Sequence, residues 1–129
     1  MNKNCLLILP RHIFPTVYGY ANHKKNLIQI LNKHFKLYIV IISNTKISAE
    51  EEQFYKSNSC FFSFITVSKI KYLINIILGL FNKYPLQVNL YYFKKVQVVI
   101  DDLLPKQDIV IGSLIRTMKY LKNIQKIIK

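Results

Sequence analysis

The feature that most constrains this chain is a short apolar run that recurs four times, each time set apart by a stretch with helical spacing. Cys5–Leu9 (CLLIL), Lys36–Ser43 (KLYIVIIS), Cys60–Val67 (CFFSFITV) and Asp108–Ile111 (DIVI) are too short for helices and read as strands. Their apolar character is nearly continuous rather than alternating, as in strands covered on both faces. Ala21–Lys33 sets Leu27, Ile28, Ile30 and Leu31 on one side, leaving Lys24, Lys25, Asn32 and Lys33 for water, which predicts an amphipathic helix. Ser48–Ser57 opens with a serine suited to capping and carries Glu50–Glu52 in its first turn, where carboxylates complement the helix dipole. Phe93, Val96, Val99, Ile100 and Leu103 recur at helical spacing until Pro105 stops the helix. Ile115–Leu121 predicts one or two helical turns. The closing Ile124–Lys129 reads either as a helix tail or as the start of a fifth strand.

Strands alternating with helices imply βαβ units and an α/β fold with a parallel sheet. Right-handed crossovers then favour a Rossmann-like, doubly wound order of 3-2-1-4. That order makes strands one and four neighbours at the topological switch point. A crevice beyond their carboxyl ends would be lined by Pro10–Tyr20 and by Gly112–Arg116. The 129 residues suit one domain, spanning 1–129.

Ile70–Asn82 is helical and apolar around almost its whole circumference, which predicts a buried core helix. The alternative for the same stretch, flanked by Lys69 and Lys83, is a basic helix lying on an anionic bilayer. The longest nearly apolar stretch, Tyr72–Phe81, is half the length a membrane span needs. Cys5–Pro10 is too short for a secretory signal and is followed at once by Arg11, so a cytoplasmic protein is expected. Cys5 and Cys60 each sit in an apolar run with no metal-ligand spacing, which predicts buried, reduced thiols.

Nineteen Lys+Arg against six Asp+Glu give a formal net charge of +13. Such an excess suits phosphate, nucleic acid or anionic lipid as partner. AT-rich codon usage would also raise lysine without any partner, and the abundance of Lys, Ile and Asn fits that source. Several chemistries are excluded. Only Gly19, Gly79 and Gly112 occur, so neither the dinucleotide fingerprint nor a P-loop is present and no cofactor is expected. No HExxH, CxxC or carboxylate cluster offers a metal site, and His12, His23 and His34 do not share a ligand spacing. Ser113 lies in no nucleophile elbow, so no catalytic residue is assigned.

The two arginines carry more information. Arg11 follows strand one and Arg116 follows strand four, so both project toward the crevice. A guanidinium grips phosphate or carboxylate with two parallel hydrogen bonds, which lysine cannot do. The competing reading is a solvated loop residue, or an ion pair with Asp101 or Asp108. Gly19, ahead of the first helix, would let backbone approach a ligand, or is an ordinary turn glycine. Tyr18 and Tyr20 beside it offer rings to a sugar or headgroup, or plain packing. Arg11, Gly19, Tyr20, Gly112, Ser113 and Arg116 are therefore the candidate acceptor- or phosphate-binding residues.

The order strand, Pro-containing loop, Gly19 and NLIQIL resembles the start of a family-4-type glycosyltransferase of the GT-B fold. YPLQVNLYYFKKVQVVIDDLL followed by QDIVIGSLIRTMKYL is similar to bacterial sugar transferases of polysaccharide clusters. Arg116 and Tyr120 match that group's R-x-x-x-Y. The resemblance implies an acceptor-side N-terminal domain, incomplete and inactive alone. Its nucleotide-sugar donor would bind a missing C-terminal domain, its acceptor would be lipid-linked or a polysaccharide, and peripheral contact with the inner face of the membrane is allowed. Two positions depart from the family: Gly19 is followed by Tyr20 where paired glycines are common, and Gly112-Ser113 stands where many members carry a histidine. A second reading is a non-catalytic basic α/β module binding anionic membrane or nucleic acid. The lack of any RNA-binding motif or base-stacking aromatic pattern argues against nucleic acid.

Overall fold

The computed structural model describes residues 3–14, 19–113 and 115–123. β1 (Asn4–Leu9), β2 (Lys36–Ser43), β3 (Phe61–Thr66) and β4 (Ile109–Gly112) form an all-parallel sheet in the order β3-β2-β1-β4. This is the doubly wound α/β order expected from the sequence. β1 pairs with β2 on one side and β4 on the other, and Cys5–Leu9 are fully buried. A strand with neighbours on both edges and cover on both faces has no place for a polar side chain, hence CLLIL.

The pleat sorts the core into two layers. Cys5, Leu7 and Leu9 join Leu37, Ile39 and Ile41 under α1 (Gly19–His34) and α2 (Ala49–Asn58), through Ile28, Leu31 and Tyr55. Leu6, Ile8, Val40 and Ile42 face the other way, against Phe93, Val96 and Ile100 at the start and along the inner side of α5 (Lys94–Leu103). Alternate residues of each strand thus serve opposite helix layers. Ser48 caps α2 as expected, its hydroxyl accepting from Glu51 N at 3.2 Å. α5 runs on into a 3-10 turn at Leu104–Lys106 containing Pro105, and a longer 3-10 segment, Ile115–Asn123, follows β4. The Ile124–Lys129 reading and Tyr18 lie outside the described residues.

Two expectations are overturned. α3 (Lys69–Gly79) is not a buried core helix: Ile70, Leu73, Ile74, Ile77 and Leu78 all face outward. The inward face carries Tyr72, Asn75 and Gly79 instead. Asn75 Nδ2 donates to the carbonyls of Leu90 at 3.2 Å and Tyr92 at 2.8 Å. A Cβ on Gly79 would lie 3.1 Å from Asn89 Cβ and 3.2 Å from Leu86 Cδ1, so only glycine lets α4 (Leu86–Leu90) pack this close. Those contacts set the rotation of α3 and turn its apolar residues to the outside. Cys60, expected to be buried, is exposed at the start of β3, while Cys5 is buried and its thiol is pushed up by burial. Among the described residues, no helix is long and apolar enough to cross a membrane.

Candidate functional site

The carboxyl ends of β1 and β2 open onto a cavity of about 260 Å³, whose lining includes Arg11, His12, Ser43, Asn44, Tyr72 and Tyr91. The reversal of strand order lies between β1 and β4, whereas this cavity opens between β1 and β2, and Gly112, Ser113 and Arg116, expected in the lining, are not among the described residues that line it. β4 meets β1 on the other side, Ser113 N donating to Ile8 O at 3.0 Å. The contribution of β2, through Ser43 and Asn44, is an addition to the expected lining.

Both arginines are held by tyrosine faces. The Arg11 guanidinium sits 4.0 Å from the centre of the Tyr20 ring. Arg116 lies 4.8 Å from the Tyr91 ring, and its Nη1 donates to Tyr91 Oη at 3.2 Å. Tyr91 is itself backed edge-on by Tyr72, with ring centres 5.8 Å apart. Burial, and the neighbouring Tyr91 phenol after it, push the Tyr72 phenol up to about 12, so it stays neutral. The ion-pair alternative does not hold: Asp108 accepts from Asn4 N at 2.8 Å and Asp101 from Gln97 Nε2 at 2.8 Å. Among the described residues, neither arginine pairs with a carboxylate. Arg11 thus lines the cavity directly, while Arg116 reaches it only through Tyr91, which it stacks on and hydrogen-bonds.

Two hydroxyls complete the arrangement. Ser113 is only 3% exposed, and its Oγ has no hydrogen-bond partner. Tyr20 Oη is likewise buried and unpartnered. Buried hydroxyls are ordinarily hydrogen-bonded, and these two lie beside one another at the ends of β1 and β4. Burial raises the Tyr20 phenol, while the adjacent Ser113 hydroxyl and Arg11 guanidinium, close enough to act as loose hydrogen-bonding neighbours though outside strict geometry, and the charge of Arg116 pull the other way. The structure thus gathers Arg11, Tyr20, Ser113 and Arg116 around one point.

The glycines do different work. A Cβ on Gly112 would meet Thr117 Oγ1 at 2.5 Å and Leu121 Cδ1 at 3.0 Å, so this glycine lets the Ile115–Asn123 segment fold back over the end of β4. Gly112→Ala is expected to lower stability by about 1–3 kcal/mol through that overlap with buried Thr117, measured by urea unfolding. Gly19 is exposed at the start of α1, and a Cβ there would touch nothing within 4 Å. Gly19→Ala is expected to leave the melting temperature unchanged or slightly raised in a circular-dichroism melt.

Three contributors escaped the sequence reading. Tyr91 and Tyr72 buttress Arg116 from more than twenty residues away, with no local signal. Glu51 is the third. It is 2% exposed, and its Oε1 accepts from Ile13 N at 3.2 Å and from Tyr55 Oη at 2.6 Å. Its Oε2 lies 3.8 Å from His12 Nδ1, so one α2 carboxylate anchors the segment that carries Arg11. Tyr55 four residues on was the one hint available in the sequence.

Fold and site together define a Rossmann-like α/β chain with an arginine- and tyrosine-lined cavity at the carboxyl ends of β1 and β2. No family model, no curated protein and no solved structure matches the chain.

Proposed function

We propose that this chain is the acceptor-side domain of a GT-B glycosyltransferase of surface-polysaccharide assembly, and that its crevice holds the phosphate of a lipid-linked acceptor. The observation carrying this reading is that Arg11 and Arg116, neither paired with a carboxylate among the described residues, both act on the Tyr20 phenol beside Ser113 at the carboxyl ends of β1 and β4. A phosphate there would accept charge-assisted bonds from the two guanidiniums and further bonds from the Ser113 and Tyr20 hydroxyls. The pairing with an acceptor sugar rests on the family resemblance. In this reading the nucleotide-sugar donor and the catalytic groups belong to a C-terminal domain, and the chain works in the cytoplasm at the inner face of the membrane. Nucleic acid is not the proposed partner.

Titration with a short-chain polyprenyl phosphate, followed by tyrosine fluorescence, tests the crevice. Saturable binding is expected, with Arg11→Ala and Arg116→Ala each weakening it about tenfold or more, as for hydrogen bonds from a charged donor. Binding that ignores both substitutions would overturn the anion site. Sugar transfer onto the same lipid phosphate, on supply of a donor-binding domain and nucleotide-sugars, tests the enzyme reading. Absence of transfer from every nucleotide-sugar would sink it while leaving the anion site standing.

A further inference from the structure

The outer face of α3 gathers five of the exposed large hydrophobic side chains among the described residues. Ile70, Leu73, Ile74, Ile77 and Leu78 are between 48% and 69% exposed, and Phe81 just beyond the helix is 89% exposed. Their i, i+3, i+4 spacing makes one continuous stripe. A surface helix ordinarily turns such a stripe inward. Here Asn75 and Gly79 hold the opposite rotation through specific inner contacts, so the exposure is built into the fold.

Charge identifies the occupant. Lys69 and Lys71 fall on the two borders of the stripe, and Lys83 follows its far end. Beside the stripe is a hollow of about 340 Å³ lined by Lys71, Lys94 and Lys95 together with Ile74 and Asn75. No Asp or Glu lies between Glu52 and Asp101. A second copy packed on this face would set these lysines against their own counterparts with no carboxylate nearby to receive them. An anionic bilayer instead takes the apolar stripe at the acyl boundary and meets the lysine rim with headgroup phosphate.

We infer that the outer face of α3, rimmed by Lys69, Lys71, Lys83, Lys94 and Lys95, is a docking surface for an anionic membrane. The helix lies in the plane of the interface, apolar side down. The surface is separate from the anion crevice and holds whether or not the chain belongs to a glycosyltransferase.

Co-flotation of the full chain with vesicles of phosphatidylcholine alone, or with about one third phosphatidylglycerol, tests it. Binding to the anionic vesicles is expected to be about tenfold tighter than to neutral ones, and to weaken as salt shortens the reach of the charges. Leu73→Glu/Ile77→Glu should abolish it, and Lys94→Gln/Lys95→Gln should reduce it severalfold. Both pairs are exposed, so each variant is expected to melt like the parent, which separates lost docking from lost folding. Equal binding to both vesicle types, retention by the double glutamate variant, or a dimer in sedimentation that the glutamates dissolve without any vesicle binding would each overturn the inference. Arg11→Ala/Arg116→Ala is expected to float like the parent, so failure of the crevice and failure of the docking face remain distinguishable.

Discussion

Glu51→Ala is expected to lower the melting temperature by about 10 °C and to weaken anion binding in the crevice. The carboxylate is buried and receives two hydrogen bonds, from the Ile13 amide and the Tyr55 phenol. Its removal leaves both donors inside the protein without an acceptor, at about 1–3 kcal/mol each. Relief of the cost of burying the charge offsets part of this, giving a net loss of about 3 kcal/mol. For a chain of this size, each kcal/mol moves the midpoint by a few degrees. The second effect follows from where Ile13 lies, two residues after Arg11 on the segment leaving β1. With the anchor gone, Arg11 must be ordered by the ligand itself, and a several-fold loss of affinity is expected. Glu51→Gln keeps one acceptor oxygen and should retain about half of the stability. Tyr55→Phe removes only one donor and should leave Arg11 in place. A calorimetric melt paired with the fluorescence titration checks all three variants. Equal affinities for the parent and Glu51→Ala would show that the anchor does not act on Arg11.

The sheet was legible because its determinants are local. Each strand is a run of consecutive apolar residues, and that pattern survives any tertiary arrangement; Lys36–Ser43 has the same limits in sequence and structure. Strand order followed from crossover handedness, and with it the place of Arg11 at the carboxyl end of β1, but the cavity opened toward β2 rather than β4 and took Ser43, Asn44, Tyr72 and Tyr91 into its lining instead of Gly112–Arg116. The rotation of α3 was illegible for the opposite reason. A helix apolar nearly all round gives no preferred inner side, and the choice was made by Asn75 and Gly79 through partners seven to seventeen residues away. A half-buried, doubly bonded asparagine and a close-packed glycine outweighed hydrophobicity, because giving up two hydrogen bonds and a tight helix contact costs more than leaving an isoleucine exposed. α4 spans only five residues, too short for periodicity to register, and Pro85 at its start was its sole sign. Gly112, read as a ligand contact, is also required by packing against Thr117. The tyrosines behind Arg116 come from another part of the chain and had no signal at all.

Tyr120→Phe is expected to destabilise the fold by about 2–4 kcal/mol while barely changing the surface. Tyr120 is fully buried, and its single hydroxyl accepts from Phe93 N at 2.9 Å and donates to Tyr91 O at 2.6 Å. Burial raises its phenol well above the usual range, so the proton needed for that donation is retained. The oxygen joins the end of α4 to the start of α5, and phenylalanine would leave an amide and a carbonyl unpaired in the interior. The ring stays, stacked on Tyr92 at 5.1 Å, so the loss isolates the hydrogen bonds from the packing. Arg116 stands four residues earlier on the same 3-10 segment, and its partner Tyr91 is the residue whose carbonyl is released. The two residues thus divide the labour of the segment: Tyr120 fixes it to the interior, and Arg116 stacks on and hydrogen-bonds Tyr91. Well below the melt, Tyr120→Phe is expected to cost only about two- to threefold in anion affinity, against about tenfold for Arg116→Ala. Arg116→Ala in turn should leave stability within about 1 kcal/mol, because it gives up one partly exposed contact. A double-mutant cycle read in both stability and affinity decides the matter. If Tyr120→Phe abolishes anion binding in the fully folded protein while Arg116→Ala does not, the assignment of roles is reversed.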